Sequence, residues 1–141
     1  MLIDHAAIQR LIPHAGAMCL LGGVMHWDAA RIGCIADSHR AEANPLRRDG
    51  LLGILCGVEY AAQAMAVHGA LCSGGGPSRG GMLAGLRNLA WYEERLDLLC
   101  GTIEITADRL HGEADRMIYA FELRHGDRLL LKGRAVVVLA A

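Results

Sequence analysis

Glu59 and, four residues later, Gln63 fall on one face of residues 51–72, a run that is apolar on nearly every side of a helix. A carboxylate in such surroundings is costly unless it is paired or used, which makes Glu59 a candidate catalytic acid. Gln63 has no titratable proton, so it suits orienting Glu59 or a substrate carbonyl rather than reacting. Two histidines are weighed as bases, and a third is read as structural. His39 lies in the polar stretch before the helical segment, His14 follows Pro13, and His68, towards the far end of the segment, reads as a packed or dipole-facing residue. The histidines have no ligand-like spacing with Cys or carboxylates, and Gly74-Gly75-Gly76 follows no strand, so neither a metal centre nor a phosphate loop is expected.

Whatever Glu59 does, the segment around it must be a buried helix. Asp49-Gly50 marks its start, and Ser73-Gly74-Gly75-Gly76-Pro77 marks its stop. Its length would suit a membrane span, but Glu59, Gln63 and His68 would be expensive in lipid. With 141 residues and a net charge of -1, one domain spanning residues 1–141 is expected, with no field for nucleic acid. Five cysteines, an odd number with no Cys-x-x-Cys pair, fit free thiols in a reducing compartment. The start of the chain has no basic, long apolar leader, so the cytoplasm is the expected location.

Around this helix the pattern is mostly strand. Residues 3–12 predict a short helix capped by Asp4 and ended by Pro13. Residues 18–25 and 31–36 predict a hairpin about Asp28-Ala29, with Gly22-Gly23 hinting at a bulge. Residues 37–50 form a polar loop long enough to be functional. Four more strands are expected at 82–91, 98–107, 116–123 and 129–139, with a tight turn at His125-Gly126-Asp127. A helix that is apolar all round needs cover on every side. The expected fold is α+β, an antiparallel sheet curved around one long central helix.

These residues, in this order, resemble the hotdog-fold 3-hydroxyacyl-acyl-carrier-protein dehydratases. The resemblance runs from Leu11-Ile12-Pro13-His14 and Leu20-Leu21-x-x-Val24, through Val58-Glu59-Tyr60-Ala61-Ala62-Gln63, to Ala84-Gly85-Leu86-Arg87-Asn88. More narrowly, Asn44-Pro45-Leu46 and the stretch from Gly57 to His68 are similar to the dehydratase-like branch associated with aryl-polyene pigment clusters.

The resemblance implies loss of water from a 3-hydroxyacyl thioester to give the trans-2-enoyl product, with no cofactor beyond the phosphopantetheine of an acyl carrier protein or coenzyme A that carries the substrate. It implies Glu59, His39 and His14 as catalytic candidates, and Gln63, Asn44 and Gly57 as substrate contacts. A backbone N–H at the helix start would polarise the thioester carbonyl. Arg47 and Arg48 would meet a carrier's acidic surface or its phosphate, or form a solvated loop pair. At least a homodimer is expected, or a heterodimer with a paralogous dehydratase. Ser38-His39-Arg40-Ala41 only loosely echoes the family's Gly-His-Phe-Pro, which motivates two other expectations: a catalytically degenerate subunit of a heterodimer, and a hotdog thioesterase in which the helix acid activates water.

Overall fold

The computed structural model describes residues 1–12, 18–75 and 81–139. The chain opens with a two-residue strand β1 (Ile3–Asp4) and helix α1 (His5–Leu11). The Asp4 side chain accepts the Ala7 N–H at 2.9 Å, the capping bond expected from the sequence. Strands β2 (Gly23–Trp27) and β3 (Arg31–Ala36) follow as a hairpin. Its bulge falls between Val24 and His26, two residues beyond the glycines that hinted at one.

A single turn of 3-10 helix, Ile54–Cys56, runs into the long helix α2 (Gly57–Cys72). At the far end the Gly75 N–H reaches Ala70 O and the Gly74 N–H reaches Leu71 O. Both glycines have positive φ, 96° and 82°, so the stop is a double carbonyl cap that side chains would resist.

The remaining strands are β4 (Gly81–Trp91), β5 (Ile103–Gly112), β6 (Arg116–His125) and β7 (Arg128–Leu139). They join one antiparallel sheet in the order β1-β2-β3-β5-β6-β7-β4. The four later strands, read from sequence as a run in chain order, do not all pair with their chain neighbours. β5 pairs back to β3, and β4 crosses to the far edge beside β7. A second correction concerns β5, expected from residue 98. Gly101 takes a φ of 84° and the strand starts only at Ile103, leaving Leu98 and Leu99 in the preceding loop.

α2 lies against β3, β5 and β6. Its residues Tyr60, Ala61, Ala64, Met65, Val67 and Ala70 are buried with the inward rows of the sheet, among them Ile103, Ile105, Ala107, Tyr119, Phe121 and Leu123. The stretch Ile54–Cys72 is long and apolar enough to cross a bilayer by composition alone, but most of it is buried inside the fold. It is the core helix. Gly57 shows how tightly its start is seated, because a Cβ there would stand 2.8 Å from Cδ2 of both Leu123 and Leu131.

The segment leading into α2 is braced from outside. Asp97 Oδ1 accepts the Leu52 N–H at 2.9 Å, while Leu96 and Ile54 exchange backbone bonds with Leu52 O and Glu94 O. The hydrogen-bonded Arg95 guanidinium holds the Asp97 carboxyl at about 2, below its ordinary 3.8. Because the folded value is the lower one, the stability this group contributes is complete above pH 3.8 and is lost as pH falls through about 2. Asp97→Asn is therefore expected to flatten the acid limb of the stability profile. Urea midpoints of both proteins across that interval, falling in parallel, would contradict this.

Candidate active site

Glu59 occupies the first turn of α2 and is half-buried. It begins a stripe on which Ala62, Ala66 and Gly69 are likewise only half covered, while the opposite face is sealed by the sheet. These small residues, one to three turns beyond Glu59, form one wall of a cavity of about 250 Å³. Met117, Val137 and Leu139 supply apolar walls from the sheet, and Leu83 does so from the edge strand β4. Arg109, Tyr119 and Ser73 add polar side chains to its lining. The arrangement is a carboxylate one helical turn from a largely apolar cavity, with polar groups in the cavity wall.

The loop before α2 is tied to the helix by a compact network. Ser38 Oγ donates to Leu20 O and lies 2.8 Å from the Tyr60 hydroxyl. Asn44 Nδ2 donates to Ser38 O at 2.9 Å and to the Tyr60 hydroxyl at 3.1 Å, and Asn44 Oδ1 accepts the Leu46 N–H. Burial pushes the Tyr60 hydroxyl pKa up, so the phenol stays protonated. His39 follows Ser38 and Glu59 precedes Tyr60, so the Ser38–Tyr60 contact brings the two candidate stretches together.

The His39 ring itself is turned inward and fully buried, with Nε2 3.2 Å from Leu99 O. A carbonyl only accepts, so Nε2 carries the proton and Nδ1 is the free base nitrogen. Nδ1 has no partner among the described residues. Burial lowers the His39 pKa, which keeps the ring neutral.

Several sequence-derived contacts are spent on structure. Gln63, expected to orient Glu59 or a substrate, is buried and accepts the Leu20 N–H at 2.8 Å while donating to Met18 O at 2.6 Å. It clamps the strand-leading segment to the helix. Asn44 spends both amide hydrogens and its oxygen within the loop network. The Gly57 N–H bonds back to Ile54 and Leu55 carbonyls, so it is not a free donor for a thioester oxygen. Arg47, weighed as a carrier contact, donates to the carbonyls of Ala41, Gly50 and His39 and staples the loop. His14 lies outside the described residues.

What sequence reasoning missed is the cluster behind the Arg109 and Tyr119 wall of the cavity. His68 is fully buried, with Nδ1 2.7 Å from the Tyr119 hydroxyl and Nε2 2.8 Å from Asp28 O. Arg109 Nη2 donates to the same hydroxyl at 3.3 Å, and its Cζ stands 5.8 Å from the centre of the Tyr119 ring. A signal for it was present. Ile103, Ile105 and Ala107 are the inward row of β5, and the next residue in that period of two is Arg109.

The antiparallel sheet wrapped around one long helix defines a hotdog-fold protein. Within it, the chain belongs to the ApeP-like dehydratase family, whose model matches residues 6–140. Among solved structures the chain is similar to the dehydratase heterocomplex ApeI:P from Xenorhabdus doucetiae, with 20% identity, a TM-score of 0.82, and coverage of 95% of this chain and 91% of that one. It is also similar to zebra fish thioesterase superfamily member 2, at 16% identity and a TM-score of 0.67 over 96% and 93% of the two chains. A thioesterase from Haemophilus influenzae matches at 12% identity and a TM-score of 0.58 over 84% and 77%. No curated protein matches.

Proposed function

We propose that this chain is a dehydratase of 3-hydroxyacyl thioesters, with Glu59 acting on the leaving C3 hydroxyl. The observation that supports this most directly is the placement of Glu59 at the head of the small-residue stripe that walls the cavity. A thioester-borne chain laid along that stripe puts its reactive carbons beside the carboxyl and its tail in the apolar slot. In the elimination a base removes the C2 proton, the C3–O bond breaks, and the hydroxyl leaves with a proton from Glu59 as water. The free Nδ1 of His39 is the base this chain offers near that turn. Its full burial, with Nε2 held by Leu99 O, requires the surrounding loop to open before a substrate reaches it.

That burial favours a second reading, in which this chain is the supporting subunit of a pair and its partner supplies the base. The edge strand β4 is suited to such pairing. It exposes Met82, Leu83, Leu86 and Trp91, and an unpaired apolar edge strand is a template for another chain. The dehydratase heterocomplex ApeI:P gives a precedent for a dehydratase built from different subunits. Either reading places the protein in the cytoplasm, acting on a substrate carried by acyl carrier protein or coenzyme A.

The deciding experiment is mass spectrometry of a 3-hydroxyacyl-pantetheine thioester incubated with the purified chain. Enoyl thioester from the chain alone is the expected result. Free acid instead would replace the proposal with a thioesterase. No turnover alone but turnover on adding a dehydratase encoded beside it would establish the supporting subunit.

A further inference from the structure

Arg109 is an unusual residue for its position. It continues the inward row of β5 after Ile103, Ile105 and Ala107, directly opposite Tyr119 on β6. The β5–β6 register then shifts between Arg109 and His111, while on the other side the Arg109 N–H extends the ladder to β3 by donating to Ala30 O at 2.7 Å. Bulges of this kind re-aim side chains and are frequent beside functional sites. Here the result is a guanidinium in the wall of an otherwise largely apolar cavity.

The neighbours of Arg109 hold it without satisfying it. Asp28 O can only accept, so His68 Nε2 carries a proton and donates to it. Burial lowers the His68 pKa and keeps the ring neutral, so Nδ1 accepts the Tyr119 O–H and the Tyr119 oxygen accepts from Arg109 Nη2. This chain fixes the direction of every bond from the Asp28 carbonyl to the guanidinium. Arg109 nevertheless keeps a buried Nε–H with no partner, and it forms no ion pair among the described residues. Leaving a buried donor of a charged group unpaired is costly, so the arrangement makes sense if a ligand brings the acceptor.

We propose that the Arg109 end of this cavity is a subsite for the far end of the acyl chain, selecting chains that end in a hydrogen-bond-accepting oxygen over chains that end in methyl. Arg109 reads the oxygen, and Tyr119 and His68 position Arg109. Distance fits the assignment, since Gly69, which lines the cavity together with Arg109 and Tyr119, lies ten residues beyond Glu59 on α2, about 15 Å along the axis at 1.5 Å per residue. That separation suits a chain whose thioester end is at Glu59 and whose tail reaches the cluster. The identification of the ligand as an acyl chain rests on the dehydratase reading; the end-group selectivity rests on the cluster.

The test uses binding rather than turnover. Three acyl-pantetheine thioesters of equal length, lacking the 3-hydroxyl and ending in methyl, hydroxyl or carboxylate, are titrated calorimetrically into the purified chain. At least one oxygen-ended probe is expected to bind about ten-fold more tightly than the methyl-ended one, as hydrogen bonds to a charged donor allow. The hydroxyl and carboxylate arms separate a neutral acceptor from an anion. Arg109→Met is expected to bring the ratio to about one, and Tyr119→Phe, which keeps the ring and removes the hydroxyl, to reduce it. Equal or tighter binding of the methyl-ended probe, no binding of any probe, or a ratio that survives both substitutions overturns the subsite. End-group preference without dehydration of the 3-hydroxy substrate would remove the dehydratase reading alone. Dehydration without preference would remove the subsite alone.

Discussion

Glu59→Gln is expected to leave the fold intact and lower kcat for 3-hydroxyacyl thioester dehydration by ~100-fold or more, the usual scale for loss of a positioned acid or base. Gln has nearly the same shape, and the side chain is only half-buried at the first turn of α2, so packing is preserved. The amide cannot deliver a proton to the departing hydroxyl. The informative comparison is the split between kcat and KM. A change confined to kcat identifies a group used in the transition state, whereas a rise in KM with kcat preserved would show that Glu59 only binds. Unchanged rates would take Glu59 out of the chemistry. Equal circular dichroism and thermal midpoints for the two proteins are part of the expected result.

The candidate acid was legible because it broke a pattern. A carboxylate in residues 51–72 contradicts an otherwise apolar helix, and such conflicts between local rule and burial mark functional positions. Asp4, the glycines after α2 and the alternation along β6 were readable for the opposite reason: each is a local signal satisfied locally. The Asp49-Gly50 turn instead closes a bridge between Arg48 and Leu51, and the helix it was expected to start begins only at Ile54–Cys56 and Gly57. The β4 crossover was not readable, since a strand's partner is set by the whole sheet and not by its own residues. Gln63 and Asn44 show the same limit among polar residues. Their types admit substrate binding or backbone bracing equally well, and only the positions of Leu20, Met18, Ser38 and Tyr60 decide for bracing. Arg109 escaped because the strand as read from sequence stopped at Ala107, one inward step short of it.

Phe121→Ala should produce the largest loss of stability, about 3–5 kcal/mol, as for other buried aromatic truncations. Phe121 is the only phenylalanine in the chain, it is 1% exposed, and it pairs across β6 and β7 with Gly133. A Cβ added at Gly133 would stand 3.0 Å from Phe121 Cζ and 3.0 Å from Leu89 Cδ1, so the ring fills the space that this glycine leaves open. The pair is thus a ring-over-glycine unit joining β6, β7 and β4. Gly133→Ala alone is expected to destabilise by about 1–3 kcal/mol through overpacking. In the Phe121→Ala background the same methyl enters the vacated space and costs much less, so the two effects should be strongly non-additive. Urea denaturation of the four proteins measures the coupling. Additive costs would mean that the sheet closes over the missing ring by itself, and that Gly133 is small for some reason other than Phe121.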